Sequence, residues 1–360
     1  MTRDYSEFLG ADRAADGSKP QPTALQRLGW QPWFAQQISA DDITARPPVR
    51  VVEVHRSGLH VIGNDIDTTL PPRADVTVGD WLLLDRTNMD ASLLLERKSL
   101  LKRRAPGPDR QVQLIAANID TAFIVTSCNQ DFNVARLERY LALALEADIT
   151  PVIILTKSDL VEDAAHYVQS AAAISDLVPV VTLDARGDDP REKLAEWCRP
   201  GHTVAFLGSS GVGKSTLTNA LAGTQEIETQ AIREADARGR HTTTRRQLHI
   251  VPGGCIVLDT PGMREVQMTD VASGIDDLFA DLHALSTECK FNDCRHETEP
   301  GCAIRAALAA GEIDEARLAR WRKLKAEEAF NSASLAERRY IEKSFGKLVR
   351  NVQKIHKKRD

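Results

Sequence analysis

Apolar positions fall into five short runs between residues 46 and 105: Val49–Val54, Leu59–Ile62, Asp75–Val78, Trp81–Leu84 and Ser92–Leu95. Gly58, Asn64-Asp65, Pro71-Pro72 and Gly79-Asp80 separate them, which is the punctuation of tight turns between short strands. Five such strands predict a small β-barrel of the OB type, although a small β-sandwich has the same strand count. From about residue 110 the rhythm changes. Thr121–Thr126, Pro151–Leu155, Val178–Leu183 and Thr203–Leu207 are unbroken apolar runs, as buried parallel strands are. Between them, Val134–Ala147 carries Leu137, Leu141 and Leu145 at helical spacing, and Lys214–Ala222 reads as a second helix. Gln247–Val251 and Cys255–Leu258 read as a hairpin about Pro252-Gly253-Gly254, completing the pattern of a mostly parallel α/β sheet. After about residue 275 the pattern is helical, with Leu318, Trp321 and Leu324 spaced for packing within Ile313–Phe330.

These patterns predict a multi-domain α/β protein: a barrel over 46–105, an α/β domain over 110–275 and a helical domain over 276–360. Residues 1–45 read as an N-terminal arm without fixed structure, because Ala11–Pro22 is small, polar and proline-containing. Leu28, Trp30, Trp33, Phe34 and Ile38 could nonetheless dock that arm on another surface.

Composition narrows the class. Hydrophobic residues at 42% and charged residues at 27% exclude a largely disordered chain, and every apolar run is too short to span a bilayer. The chain starts without the apolar run of a secretory signal. Three of the six cysteines crowd together with a histidine, which suits a reducing compartment and predicts a cytoplasmic protein without a membrane partner. The net charge of −5 conceals a basic end: residues 338–360 hold nine Lys and Arg against two acids. A second basic run covers Arg97–Arg104.

Gly208-Ser209-Ser210-Gly211-Val212-Gly213-Lys214-Ser215 fits the G-x-x-x-x-G-K-[ST] phosphate loop at every fixed position, between a predicted strand and a predicted helix. Its glycines let backbone N–H groups turn inward on phosphate oxygens, and the helix N-terminus adds positive potential. Lys214 would reach the β- and γ-phosphates, Ser215 would ligate Mg²⁺, and Thr216 would follow in the first turn. Asp259-Thr260-Pro261-Gly262 follows an apolar strand. There Asp259 could hold the magnesium shell and the Gly262 amide could meet a γ-phosphate. Between them lies the polar Gly239–Arg246, one of whose threonines (Thr243 the first choice) could complete that shell. Thr156-Lys157-Ser158-Asp159 ends another strand. A carboxylate at Asp159 can accept from guanine N1–H and its exocyclic amine, while Lys157 packs over the ring. Such a tetrapeptide on its own is also a common helix cap, and Thr156 stands where Asn is more usual. Together the motifs indicate GTP and GDP as ligands. Their order, with the base-reading segment ahead of the phosphate loop, requires a circularly permuted domain.

Cys289-x₄-Cys294-x-His296-x₅-Cys302 packs three thiols and an imidazole into fourteen residues. Soft S₃N ligation with every position filled predicts one structural Zn²⁺, the alternative being free buried thiols.

The permuted order, the preceding β-barrel, Gly239–Thr244 and the Cys289–Cys302 spacing together resemble the ribosome small subunit-dependent GTPase A family over about residues 46–330. The resemblance implies an OB domain, a permuted GTPase domain and a zinc-binding helical domain. It also implies a monomeric factor that binds 30S subunits and their rRNA late in assembly, with GTP hydrolysis stimulated by the subunit. The loop after Val181 departs from the family's Ser-Ala; Leu183-Asp184-Ala185-Arg186 is the nearest match, and its contacts stay open. Met263 occupies the place where many GTPases hold a water-orienting glutamine, so slow intrinsic hydrolysis is expected, with His241 as the candidate to position water. On this reading the basic tail and Arg97–Arg104 would meet rRNA phosphate. The competing reading is an RNA-binding scaffold in which nucleotide and zinc are mainly structural.

Overall fold

A computed structural model describes residues 22–104, 112–223, 246–259 and 270–332. Over residues 22–45 the expected arm is three short helices, α1 (Ala24–Arg27), α2 (Pro32–Ala35) and α3 (Ala40–Ala45). A capping box starts α1: Thr23 Oγ1 accepts from the Gln26 amide at 3.2 Å and Gln26 Oε1 accepts from the Thr23 amide at 2.9 Å. Pro32 opens α2, where a missing N–H costs nothing. Leu25, Leu28, Trp30 and Phe34 are buried against Trp81, Leu83 and Leu95, with the Trp30 and Trp81 rings edge to face at 4.8 Å.

Strands β1 (Pro48–His55), β2 (Gly58–Gly63), β3 (Ile66–Leu70), β4 (Trp81–Leu83) and β5 (Leu93–Leu94) are antiparallel in the order β3-β2-β1-β4-β5. A bulge between Val51 and Glu53 bends β1, so that it pairs with β2 on one edge and β4 on the other. The strand expected at Asp75–Val78 is a turn instead. Val76 and Val78 are buried there, but the Thr77 amide is taken by Asp80 Oδ2 at 2.7 Å rather than by a ladder. The true third strand, Ile66-Asp67-Thr68-Thr69-Leu70, was hidden because only its two ends are apolar.

Part of the basic run is also paired with acids of the fold. Arg97 grips Asp80 through Nε (2.7 Å) and Nη2 (2.8 Å), and Lys98 Nζ bonds Asp120 at 2.9 Å. Leu100–Arg104 is β6, paired with β7 (Val112–Ala117) in a two-stranded sheet.

The α/β part runs β8 (Thr121–Ser127), α4 (Val134–Glu146), β9 (Thr150–Thr156), α5 (Ala164–Ala172), β10 (Val180–Thr182), α6 (Asp189–Lys193), β11 (Thr203–Gly208), α7 (Lys214–Ala222), β12 (Arg246–Ile250) and β13 (Ile256–Asp259). Across the sheet the order is β10-β9-β8-β11-β13-β12, parallel except for β12. One face packs Phe123, Val125, Val152, Ile154, Val204 and Phe206 against Leu217 and Leu221 of α7. At its far edge β12 pairs with β1, Glu53 opposite Gln247 and Val54 opposite Arg246, so one eleven-stranded sheet runs through both parts.

Contacts divide the chain into two units. The first takes in residues up to Lys102 and from Gln113 to Val266. The second takes in Arg103–Val112 and everything from Gln267. Its described helices are α8 (Ala272–Leu278), α9 (Ala280–Thr287), α10 (Ala303–Ala310) and α11 (Glu315–Ser332). Leu318, Trp321 and Leu324 are the buried stripe of α11, as their spacing predicted.

Candidate nucleotide site and metal centre

Parallel strands deliver their following loops to one edge of a sheet, and the crevice there is where α/β proteins bind ligands. The loops after β8, β9, β10 and β11 meet at that edge. Gly208 ends β11 at φ +142°, and a Cβ there would lie 2.2 Å from the Val125 carbonyl oxygen, so only glycine fits. Val212 is buried and anchors the phosphate loop, whereas Ser210, Ser215 and Thr216 face solvent. Lys214 Nζ donates to the Gly208 carbonyl at 2.9 Å and to the Ser209 carbonyl. Arg136, in the first turn of α4, donates from Nη1 to Ser209 Oγ at 2.9 Å.

The Thr156–Asp159 segment is laced to this loop. Thr156, fully buried, donates from Oγ1 to the Val212 carbonyl at 2.7 Å. Lys157 Nζ donates to the Gly211 carbonyl at 2.9 Å. Lys157 itself sits at φ +59°, a left-handed turn that a β-branched residue would resist. The turn carries Ser158 and Asp159 into a short 3₁₀ helix, Ser158–Leu160. Ala185 completes the corner, for a Cβ placed on Gly213 would lie 3.7 Å from both the Ala185 Cβ and the Thr156 Cγ2.

An arginine on the β10–α6 loop closes the base side. Arg186 donates from Nε to Asp184 Oδ1 at 2.9 Å and from Nη2 to Asp184 Oδ2 at 3.0 Å. The same Nη2 reaches Asp159 Oδ2 at 2.7 Å. Its hydrogen bond with Arg186 holds the Asp184 carboxyl below its ordinary value, and Asp184 in turn raises the guanidinium. The sequence marks Leu183–Arg186 as the nearest match to a base-pocket loop but not the contact that Arg186 makes, and it carries no sign of Arg136, because each acts across a distance along the chain: 27 residues to Asp159, 73 to Ser209.

In the second unit, the ligand atoms of Cys289, Cys294, His296 and Cys302 lie within 4.8 Å of one another. Cys289 Sγ and Cys302 Sγ are 3.8 Å apart, and each is 3.5 Å from His296 Nδ1. Bonds of about 2.3 Å to sulfur and about 2.0–2.1 Å to nitrogen, at tetrahedral angles, give edges of about 3.8 and about 3.5 Å, so Cys289, His296 and Cys302 are spaced as zinc ligands, with Cys294 near enough to be the fourth. Burial raises the Cys289 thiol, but the Ala303 and Ile304 amides at the start of α10, together with the Cys302 and Cys294 thiols, outweigh it and draw the thiol below its ordinary value. Burial also lowers His296, helped by Arg322 and Lys325, which favours the neutral imidazole that a metal needs. Burial pushes Cys294 up to about 11.

Asp259 ends β13, with Gln247 as its neighbour in register. His241, Thr243 and Gly262 lie outside the described residues, as does the basic tail.

A parallel sheet with a phosphate loop after its central strand, and a T-K-x-D turn bonded to that loop, defines a P-loop nucleoside triphosphatase. Its chain begins at β8 instead of at the phosphate-loop strand β11, so the order is permuted. The RsgA GTPase family model matches residues 94–269. A relative from Mesorhizobium japonicum named small ribosomal subunit biogenesis GTPase RsgA is 53% identical over 318 residues, spanning 86% of this chain and 91% of the relative. Another, RsgA 2 of Vibrio parahaemolyticus, is 47% identical over 341 residues, spanning 93% of this chain and 94% of the relative. The crystal structure of YjeQ from Thermotoga maritima superposes with a TM-score of 0.58 at 27% identity, covering 78% of this chain and 98% of that one. The chain belongs to the RsgA GTPase family and is a GTP-hydrolysing enzyme.

Proposed function

We propose that this enzyme acts in the cytoplasm as a late maturation factor of the 30S ribosomal subunit. It binds the particle with Mg²⁺·GTP in place and leaves after a hydrolysis step that the subunit accelerates. The observation that carries the nucleotide reading is the pair of hydrogen bonds from Thr156 and Lys157 to the Val212 and Gly211 carbonyls. These fix the Asp159 carboxylate relative to the phosphate loop, so base and phosphates are read by one rigid frame. The names of the relatives support the ribosomal reading.

In this frame Gly208–Gly213 cradles the phosphates, Lys214 neutralises the β- and γ-oxygens, and Thr156–Asp159 binds the guanine. Magnesium would be held by Ser215, Asp259 and Thr243 and would supply charge neutralisation at the γ-phosphate. His241 orients the attacking water, Met263 being unable to do so. The Cys₃His cluster holds one structural zinc, and the chain works as a monomer. Cations of the C-terminal end, with those of Arg97–Arg104 not already paired, meet rRNA phosphate.

The test is GTP turnover by the purified protein alone, with 30S subunits, and with 50S subunits and ATP as controls. Acceleration by 30S subunits only is expected. A slow rate indifferent to either subunit would sink the proposal and leave the scaffold reading. The Lys214→Ala variant should lose turnover under every condition.

A further inference from the structure

Asp159 bonds a group built like the ligand edge it would recognise. The guanine edge is an N1–H beside a C2 amine, two roughly parallel donors on one planar N–C–N unit. The Arg186 guanidinium is the same kind of unit; its Nε–Nη2 edge faces Asp184, and it gives Asp159 one donor, Nη2 to Oδ2 at 2.7 Å, in the place of one guanine N–H. Arg186 does not depend on that bond for its place, because Asp184 already holds Nε and Nη2 at 2.9 and 3.0 Å. Asp184 is fixed in turn: its amide donates to Asp189 Oδ2 at 2.9 Å and its Oδ1 accepts the Arg186 amide at 2.9 Å. The side chains of Arg186 and Asp159 are 66% and 39% exposed, so the pair exchanges readily with solvent and ligand.

We propose that Arg186 is a built-in competitor for the guanine subsite: it occupies Asp159 as a guanine mimic, and Asp184 retains it when the base takes its place. The inference rests on the reading of Asp159 as the guanine-binding carboxylate. Arg186 thus lowers the affinity for GDP and GTP alike, and Asp184 raises it by drawing the arginine away. The two residues act in opposite directions on one equilibrium, which a merely structural role would not produce, since loss of either would then loosen the same loop.

The experiment is calorimetric titration of GDP into the full-length protein and its Arg186→Ala, Asp184→Asn and Asp159→Asn variants. Arg186→Ala should lower Kd about two- to five-fold, the range an exposed ion pair supports. Asp184→Asn keeps the turn's acceptor oxygen but removes the charge that holds the guanidinium, and should raise Kd. A Kd that is unchanged or raised in Arg186→Ala overturns the proposal. Asp159→Asn separates the two levels. Wild-type affinity in that variant removes the guanine reading and the proposal with it. Weakened binding there, without tightening in Arg186→Ala, removes the proposal alone.

Discussion

Asp120 shows what one side chain can hold in place. Its carboxylate accepts from the Thr203 amide at 2.8 Å, Gln31 Nε2 at 3.0 Å and Lys98 Nζ at 2.9 Å, joining the N-terminal helices to the start of the phosphate-loop strand. Burial alone would raise its pKa, but the three donors outweigh it and hold it below the ordinary 3.8. A carboxylate depressed in the folded state stabilises fully above the unfolded value, and that contribution fades as pH falls through the folded one. Asp120→Asn should therefore cost about 2 kcal/mol at pH 7, the worth of a charge-assisted bond. In urea unfolding, the gap to the parent protein should narrow once the pH drops below 3.8. An equal gap at neutral and acid pH would show that charge plays no part. None of this was visible in the sequence, since the three donors lie 89, 22 and 83 residues away. Lys214 is legible, because its partners Gly208 and Ser209 sit in the same short motif, and Asp159 is legible through the T-K-S-D spacing, although its partner Arg186 lies 27 residues away.

At the scale of elements, strong periodicity marks its element in the sequence and weak periodicity does not. Val134–Glu146 and Lys214–Ala222 formed where Leu spacing and the glycine loop placed them. Ile66–Leu70 leaves little trace in the sequence because an edge strand with two exposed positions shows little apolar signal. Asp75–Val78 resembles a strand in sequence but is a turn, because burial without a ladder gives the same apolar signature. Helices α1 and α2 are too short to hold by themselves, and their order comes from the Trp30, Phe34 and Trp81 ring cluster. Phe34 is 1% exposed within it, so Phe34→Ala should cost about 3–5 kcal/mol, measurable as a lower denaturant midpoint. Trp33→Ala, beside it on the same helix but 45% exposed, should leave the midpoint nearly unchanged.

At the scale of the whole molecule, the two units rest on different physics. The first is built on a sheet whose central strands β8, β9 and β11 are buried almost throughout by apolar side chains. Among its described residues the second has few long apolar elements, and it carries the four side chains, Cys289, Cys294, His296 and Cys302, that could hold a metal ion. Metal removal should therefore act on one unit only. A strong chelator is expected to abolish a separate thermal transition of the second unit while GDP still raises the melting temperature of the first. Two transitions untouched by the chelator would deny the metal a folding role.

By itself the sequence determined the α/β class, the permuted order, the phosphate loop, the T-K-S-D turn and the Cys/His cluster, because each is written in local spacing or local periodicity. Only the tertiary structure decided that residues 22–45 are folded, that Arg97 and Lys98 are bound to buried acids, and that β12 joins β1 in one sheet. It likewise decided that Arg186 reaches Asp159. These are contacts between residues far apart in the chain, and hydrogen bonds and ion pairs at such distances leave no period for a sequence to display.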